Sequence, residues 1–221
     1  MALLKVIVPT ALVAALAPAA SAVNFTAETH VLLRFIDVTS GIAVHGSATT
    51  KEERNPDGNA TATADAQTRH ITEDRYWMDA SVTGSAQNGG SSNALAQARW
   101  NFSARNSNYV IRYIKVRLTG TQDSSVRNYG NAAEAEAFSY VFTAGDGITS
   151  LDSHGLSDMS FDTYTGSLTR TFTIALEPRS ENYFSFTIRS SGSVQAAAVP
   201  EPSSIAALGL GGLALLRRRR K

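Results

Sequence analysis

From about residue 23 to residue 189 the chain repeats one pattern, strand-length runs in which apolar and polar side chains alternate with a period of two, and this limits the fold more than anything else in the sequence. Tyr76, Met78, Ala80 and Val82 share one face of such a run, and Arg75, Trp77, Asp79, Ser81 and Thr83 share the other. Ala96, Ala98, Trp100, Phe102 and Ala104 oppose Leu95, Gln97, Arg99, Asn101 and Ser103 in the same way. Later runs set Ile114, Val116 and Leu118, then Phe172, Ile174 and Leu176, then Phe184, Phe186 and Ile188 against polar rows. A slip of one residue would turn each apolar row to water, so register is strongly specified. Turn signals separate the runs: Asn55-Pro56-Asp57-Gly58, Gly89-Gly90, Gly145-Asp146-Gly147 and Pro178. The expected fold is all-β, an antiparallel β-sandwich of jelly-roll type, with an up-and-down barrel as the alternative. Helix is suggested only at residues 131–137, where Ala and Glu alternate. The Ser-, Gly- and Ala-rich stretch 190–198 reads as a flexible tether after a sandwich domain of residues 23–189.

Both ends differ from this middle. Residues 1–22 hold one cation, Lys5, then an apolar stretch, then Ala20-Ser21-Ala22. The small side chains of Ala20 and Ala22 fit signal peptidase, so the segment is expected to be an export signal cut before Val23. At the other end stand Val199, Pro200, Glu201, Pro202 and Ser203, an uncharged run over 205–216, and Arg217, Arg218, Arg219, Arg220 and Lys221. Twelve helical residues rise only about 18 Å, against roughly 30 Å of hydrocarbon, so the run suits a thin or transient span. The cations would stay on the cytoplasmic side and leave the domain outside. Gly209, Gly211 and Gly212 provide a flat face for another membrane helix.

This order of Val-Pro-Glu-Pro-Ser, short hydrophobic helix and basic terminus resembles the PEP-CTERM sorting signal of exported bacterial proteins, over residues 199–221. The resemblance implies recognition by an exosortase, a membrane-embedded protease or transpeptidase, with processing near Pro200-Glu201-Pro202 and release or attachment at the cell surface. It also implies association with exopolysaccharide or biofilm. The two prolines keep Glu201 in an extended, reachable segment.

Candidate chemistry in the middle is sparse. The chain has no cysteine, which removes disulfides, thiol nucleophiles and Cys-based zinc sites. His30, His45, His70 and His154 show no metal-binding spacing, and no Gly-x-Ser-x-Gly occurs. Asp146, Asp152, Asp158 and Asp162 read as solvated loop acids, since their spacing does not match a calcium loop. Glu134 and Glu136 would fall on one side of an extended chain, but a glycosidase needs two carboxylates across a cleft. The two tryptophans contrast: Trp100 lies in an apolar row and is expected in the core, whereas Trp77 lies in a polar row beside Arg75 and Asp79. That trio is the candidate carbohydrate contact, an indole for stacking between hydrogen-bonding neighbours.

The net charge of +1 averages parts with separate fates: residues 23–216 keep 14 of the 20 cations against all 19 acids, a net −5. A mildly acidic exported domain does not suit nucleic acid. The expectation is a non-enzymatic surface or matrix protein with no cofactor and no metal. A secreted carbohydrate-binding module and a polysaccharide hydrolase are its alternatives.

Overall fold

The structure, a computed structural model, describes residues 22–128, 134–145, 148–158 and 162–198, and side chains only up to residue 127 and from residue 163 onward. Ten strands follow one another: β1 (Ala22–Val38), β2 (Ile42–Asp57), β3 (Ala60–Thr72), β4 (Arg75–Gln87), β5 (Ser91–Asn106), β6 (Arg112–Asn128), β7 (Glu134–Gly145), β8 (Ile148–Asp158), β9 (Asp162–Leu176) and β10 (Glu181–Gln195). They form two five-stranded antiparallel sheets, β3-β4-β1-β6-β9 and β2-β5-β10-β7-β8, packed face to face as a sandwich.

The alternation read from the sequence supplies the facing layers. Met78, Ala80 and Val82 of β4 point inward with Val31 and Leu33 of β1, and Trp100, Phe102, Phe186 and Ile188 meet them from the second sheet. Edge-to-face packing links Phe35, Tyr76 and Phe102, with ring centroids 5.7 Å apart for Phe35–Tyr76 and 4.9 Å for Tyr76–Phe102. Trp100 is buried as expected, and its Nε1 donates to the Trp77 carbonyl at 3.3 Å.

Turns fall at Gly58, at Gly89-Gly90 and at Pro178, whereas Asn55, Pro56 and Asp57 still belong to β2 and residues 146–147 lie outside the described residues. Gly58 between β2 and β3 has φ +64°, and the β4–β5 turn uses left-handed backbone at Asn88 (φ 49°) and Gly89 (φ 81°). Pro56 sits within β2, which is tolerated because β2 is an edge strand. Side chains of this edge also bind the neighbouring edge strand: Glu52 Oε1 accepts from Ala66 N at 3.0 Å, and Arg54 Nη2 donates to Ala64 O at 2.6 Å. Otherwise unpaired backbone groups of β3 are thereby satisfied.

Three expectations need correction. Residues 134–137 are not helical but open β7, because pairing with β10 on one side and β8 on the other outweighs the local helix preference of Ala and Glu. The stretch containing Asp152 and Asp158 is strand β8, and Asp162 begins β9, so these acids do not form a loop cluster; Asp146 lies outside the described residues. Most of the supposed tether belongs to the sandwich: β10 continues to Gln195, and Ser190, Gly192, Val194 and Ala196 are buried. Its small residues are packing partners rather than linker. Ser190 Oγ bonds Thr29 Oγ1 at 2.9 Å and donates to Ala80 O at 2.8 Å, tying the two sheets together.

Candidate functional site

The strand directions give the sandwich two unlike poles. Ala22, where β1 begins, pairs with Gln87, and the β4–β5 turn that follows receives the other end of the domain: Ala196 N bonds Gly90 O at 2.9 Å, and Gly89 N bonds Ala197 O at 3.0 Å. Both ends of the folded domain therefore leave at one pole, on the two sides of a single turn. Residues 1–21 of the expected export signal and residues 199–221, with Pro200, Glu201 and Pro202, lie outside the described residues. Among the described residues no helix is long and apolar enough to cross a membrane, and the run 205–216 is not among them.

The opposite pole carries the exposed large apolar side chains: Val38, Ile71, Tyr109, Val110, Ile111, Tyr113 and Tyr183. Asn106 holds this pole together. Fully buried, its Nδ2 is shared among Val110 O (2.9 Å), Leu176 O (3.1 Å) and Glu177 O (3.0 Å), while its Oδ1 accepts from Asn108 N at 2.9 Å.

Trp77, Arg75 and Asp79 fall on the outer face of the first sheet, as the alternation requires. Trp77 is half-buried between its register neighbours Leu32 of β1 and Arg69 of β3, and the Arg69 guanidinium stands 6.0 Å from the indole centroid. Asp79 is occupied by a neighbour, its Oδ1 lying 2.9 Å from His30 Nδ1. Burial pushes the Asp79 carboxyl above the usual carboxylate range, and His30 opposes part of that rise. Arg75 is exposed at the start of β4.

The outer face of the second sheet holds an open groove of about 540 Å³ that sequence reasoning did not identify. Register sets two rows across three strands, His45–Ser103–Tyr183 and Ser47–Asn101–Ser185, from β2, β5 and β10. Arg99, one step along β5, donates from Nη2 to Ser185 Oγ at 3.0 Å. Tyr183 is 66% exposed at the groove's end. The polar row of β5 was visible in the sequence, but its neighbours were not, because β2 and β10 come from distant parts of the chain. No carboxylate occurs among the described residues lining the groove.

Of the other histidines, His70 stacks on Tyr76 with centroids 4.7 Å apart, and the side chain of His154 lies outside the described residues, as do those of Glu134 and Glu136. No cluster of three metal-ligating side chains is found among the described residues.

No curated protein matches the chain. Residues 198–221 match the family model of the PEP-CTERM protein-sorting motif, one residue more than the resemblance had marked, and this C-terminal signal implies an exported protein that an exosortase processes and sorts to the cell surface.

Proposed function

We propose that the chain is a non-enzymatic surface or matrix protein of a bacterial exopolysaccharide or biofilm, whose sandwich is delivered and cut free by its two terminal signals. The observation that carries this reading is where the signals meet the fold. Val23, which would be the first residue after signal-peptidase cleavage at Ala20-Ser21-Ala22, is buried in β1, and Ala196, the last core residue, precedes Pro200-Glu201-Pro202 by four positions. Cleavage at both sites would take nothing from the core. Since both cuts fall at one pole, a domain anchored through the motif turns its opposite pole outward.

In this reading residues 205–216 form a transient membrane helix, and Arg217, Arg218, Arg219, Arg220 and Lys221 stop it on the cytoplasmic side. The sandwich is of jelly-roll type. Strand order supports this: β4-β1-β6-β9 facing β5-β10-β7-β8 is a jelly-roll arrangement in which β1 takes the place of the last strand, with β2 and β3 added at one side. Intact mass of the mature protein from its host tests the delivery. Loss of both the first 22 residues and the C-terminal helix is expected, and a mature chain that keeps Lys221 refutes it.

A secreted carbohydrate-binding module is the second reading, favoured by the two outer faces that combine an aromatic ring with polar rows. A hydrolase gains no such support, because its carboxylate pair is missing from the described groove lining.

A further inference from the structure

We infer that the groove across β2, β5 and β10 binds an acidic polysaccharide, with Tyr183 stacking on a sugar ring and Arg99 holding a uronate carboxylate. The inference rests on the surface-protein reading and gives that surface a ligand. Three features of the groove point to this chemistry.

First, the platform is aromatic and free: Tyr183 is 66% exposed, and a phenol ring offers an apolar face to the C–H side of a pyranose. Second, the lining joins apolar surface, with Phe102 and Phe184 among its residues, to groups that can bind hydroxyls, the mixture that a sugar ring presents in reverse. Ser47, Asn101 and Ser103 supply hydroxyl and amide groups at cross-strand spacing, beside His45. Third, the charge is of the opposite sign to the domain. Residues 23–216 carry a net −5, yet the charged lining residue is Arg99, with no acid in the lining to neutralise it. Its Nη2 donates to Ser185 Oγ at 3.0 Å, which orients the guanidinium, and its Nε is buried without a protein partner, which leaves the Nη groups to meet a ligand. A planar fork held this way suits a carboxylate better than a neutral hydroxyl. The groove is open, so a polymer can lie across the strands without needing a free end.

Mature protein recovered from the host is run in native gels containing alginate, polygalacturonate or dextran. Retardation by the two uronate polymers and free migration in dextran are expected. Tyr183→Ala should weaken retardation roughly tenfold, as should Arg99→Gln, whose lost charge-assisted bonds are of that size. Tyr183→Phe should keep it, and Trp77→Ala, on the other sheet, should leave it unchanged. Melting curves confirm that each variant is folded, and Tyr183→Ala is the decisive one because that side chain supports no core contact. Equal retardation in dextran overturns the acidic class, loss of binding in Trp77→Ala moves the contact to the first sheet, and free migration in all gels overturns the site. Failure of the surface-protein reading is seen separately, as failure to recover a processed chain.

Discussion

Gly192→Ala should destabilise the sandwich, although alanine is ordinarily the better residue within a strand. Phe25, fully buried on β1, lies opposite Gly84 of β4 and reaches across the core to Gly192 of β10. A Cβ built on Gly192 would stand 2.2 Å from Phe25 Cδ2 and 2.5 Å from Cε2, where ordinary contact begins near 3.4 Å. The ring would have to move by more than an ångström, and it is hemmed in on the other flank, since a Cβ on Gly84 would meet Phe25 Cε1 at 2.2 Å. Neither glycine has positive φ, so backbone strain contributes nothing. Overpacking of this kind costs about 1–3 kcal/mol. Replacing glycine returns about 0.5–1 kcal/mol of unfolded-state entropy. The net loss should be at most about 2.5 kcal/mol, or a Tm lower by up to about 10 °C for a domain of this size. Urea denaturation followed by the fluorescence of buried Trp100 measures it. Specificity comes from a double-mutant cycle: in a Phe25→Leu background, which removes ring atoms, Gly192→Ala should cost less than about 0.5 kcal/mol. Equal costs in the two backgrounds would refute the steric argument.

The remaining predictions test the distal pole, the outer face and the tail. Asn106→Ala should cost about 2–3 kcal/mol, because three carbonyls and one N–H lose their buried partner. Hydrogen exchange of residues 107–111 should accelerate, and unchanged protection would contradict the role given to Asn106. Asp79→Asn tests the raised carboxyl. The folded state holds that proton more tightly than the unfolded state, so wild-type stability falls as pH rises from about 4 through the raised pKa and stays lower at neutrality. The Asn variant should therefore be the more stable near pH 7 and lose this advantage in acid; parallel urea midpoints from pH 3.5 to 8 would count against it. Replacing Arg217, Arg218, Arg219 and Arg220 with Gln should leave unprocessed precursor in the membrane, and normal maturation in the host would disprove the assigned orientation.

Much of the fold was legible because a two-residue period permits only two faces. Trp100 in and Trp77 out, and Met78 in and Asp79 out, follow from counting along one strand. Departures occurred where local preference competes with pairing. The Ala/Glu stretch at 134–137 is a strand because β8 and β10 supply partners on both sides, and no short-range pattern announces them. Ser190, Gly192 and Val194 looked like linker because small residues suit linkers equally well; Phe25, more than 160 positions earlier, explains Gly192, and Thr29 and Ala80 explain Ser190.

The same division separates the sorting signal from the proposed binding groove. The sorting signal is written in contiguous residues and is legible without the fold. The sequence by itself therefore determined the delivery of this protein and the in-or-out sense of its strands. The groove was decided only by tertiary structure. His45, Asn101 and Tyr183 are 56 and 82 positions apart along the chain, and they share one site because antiparallel pairing sets β2, β5 and β10 side by side in one register. Hydrogen bonding between strands fixes that register, and no residue's own preference encodes it.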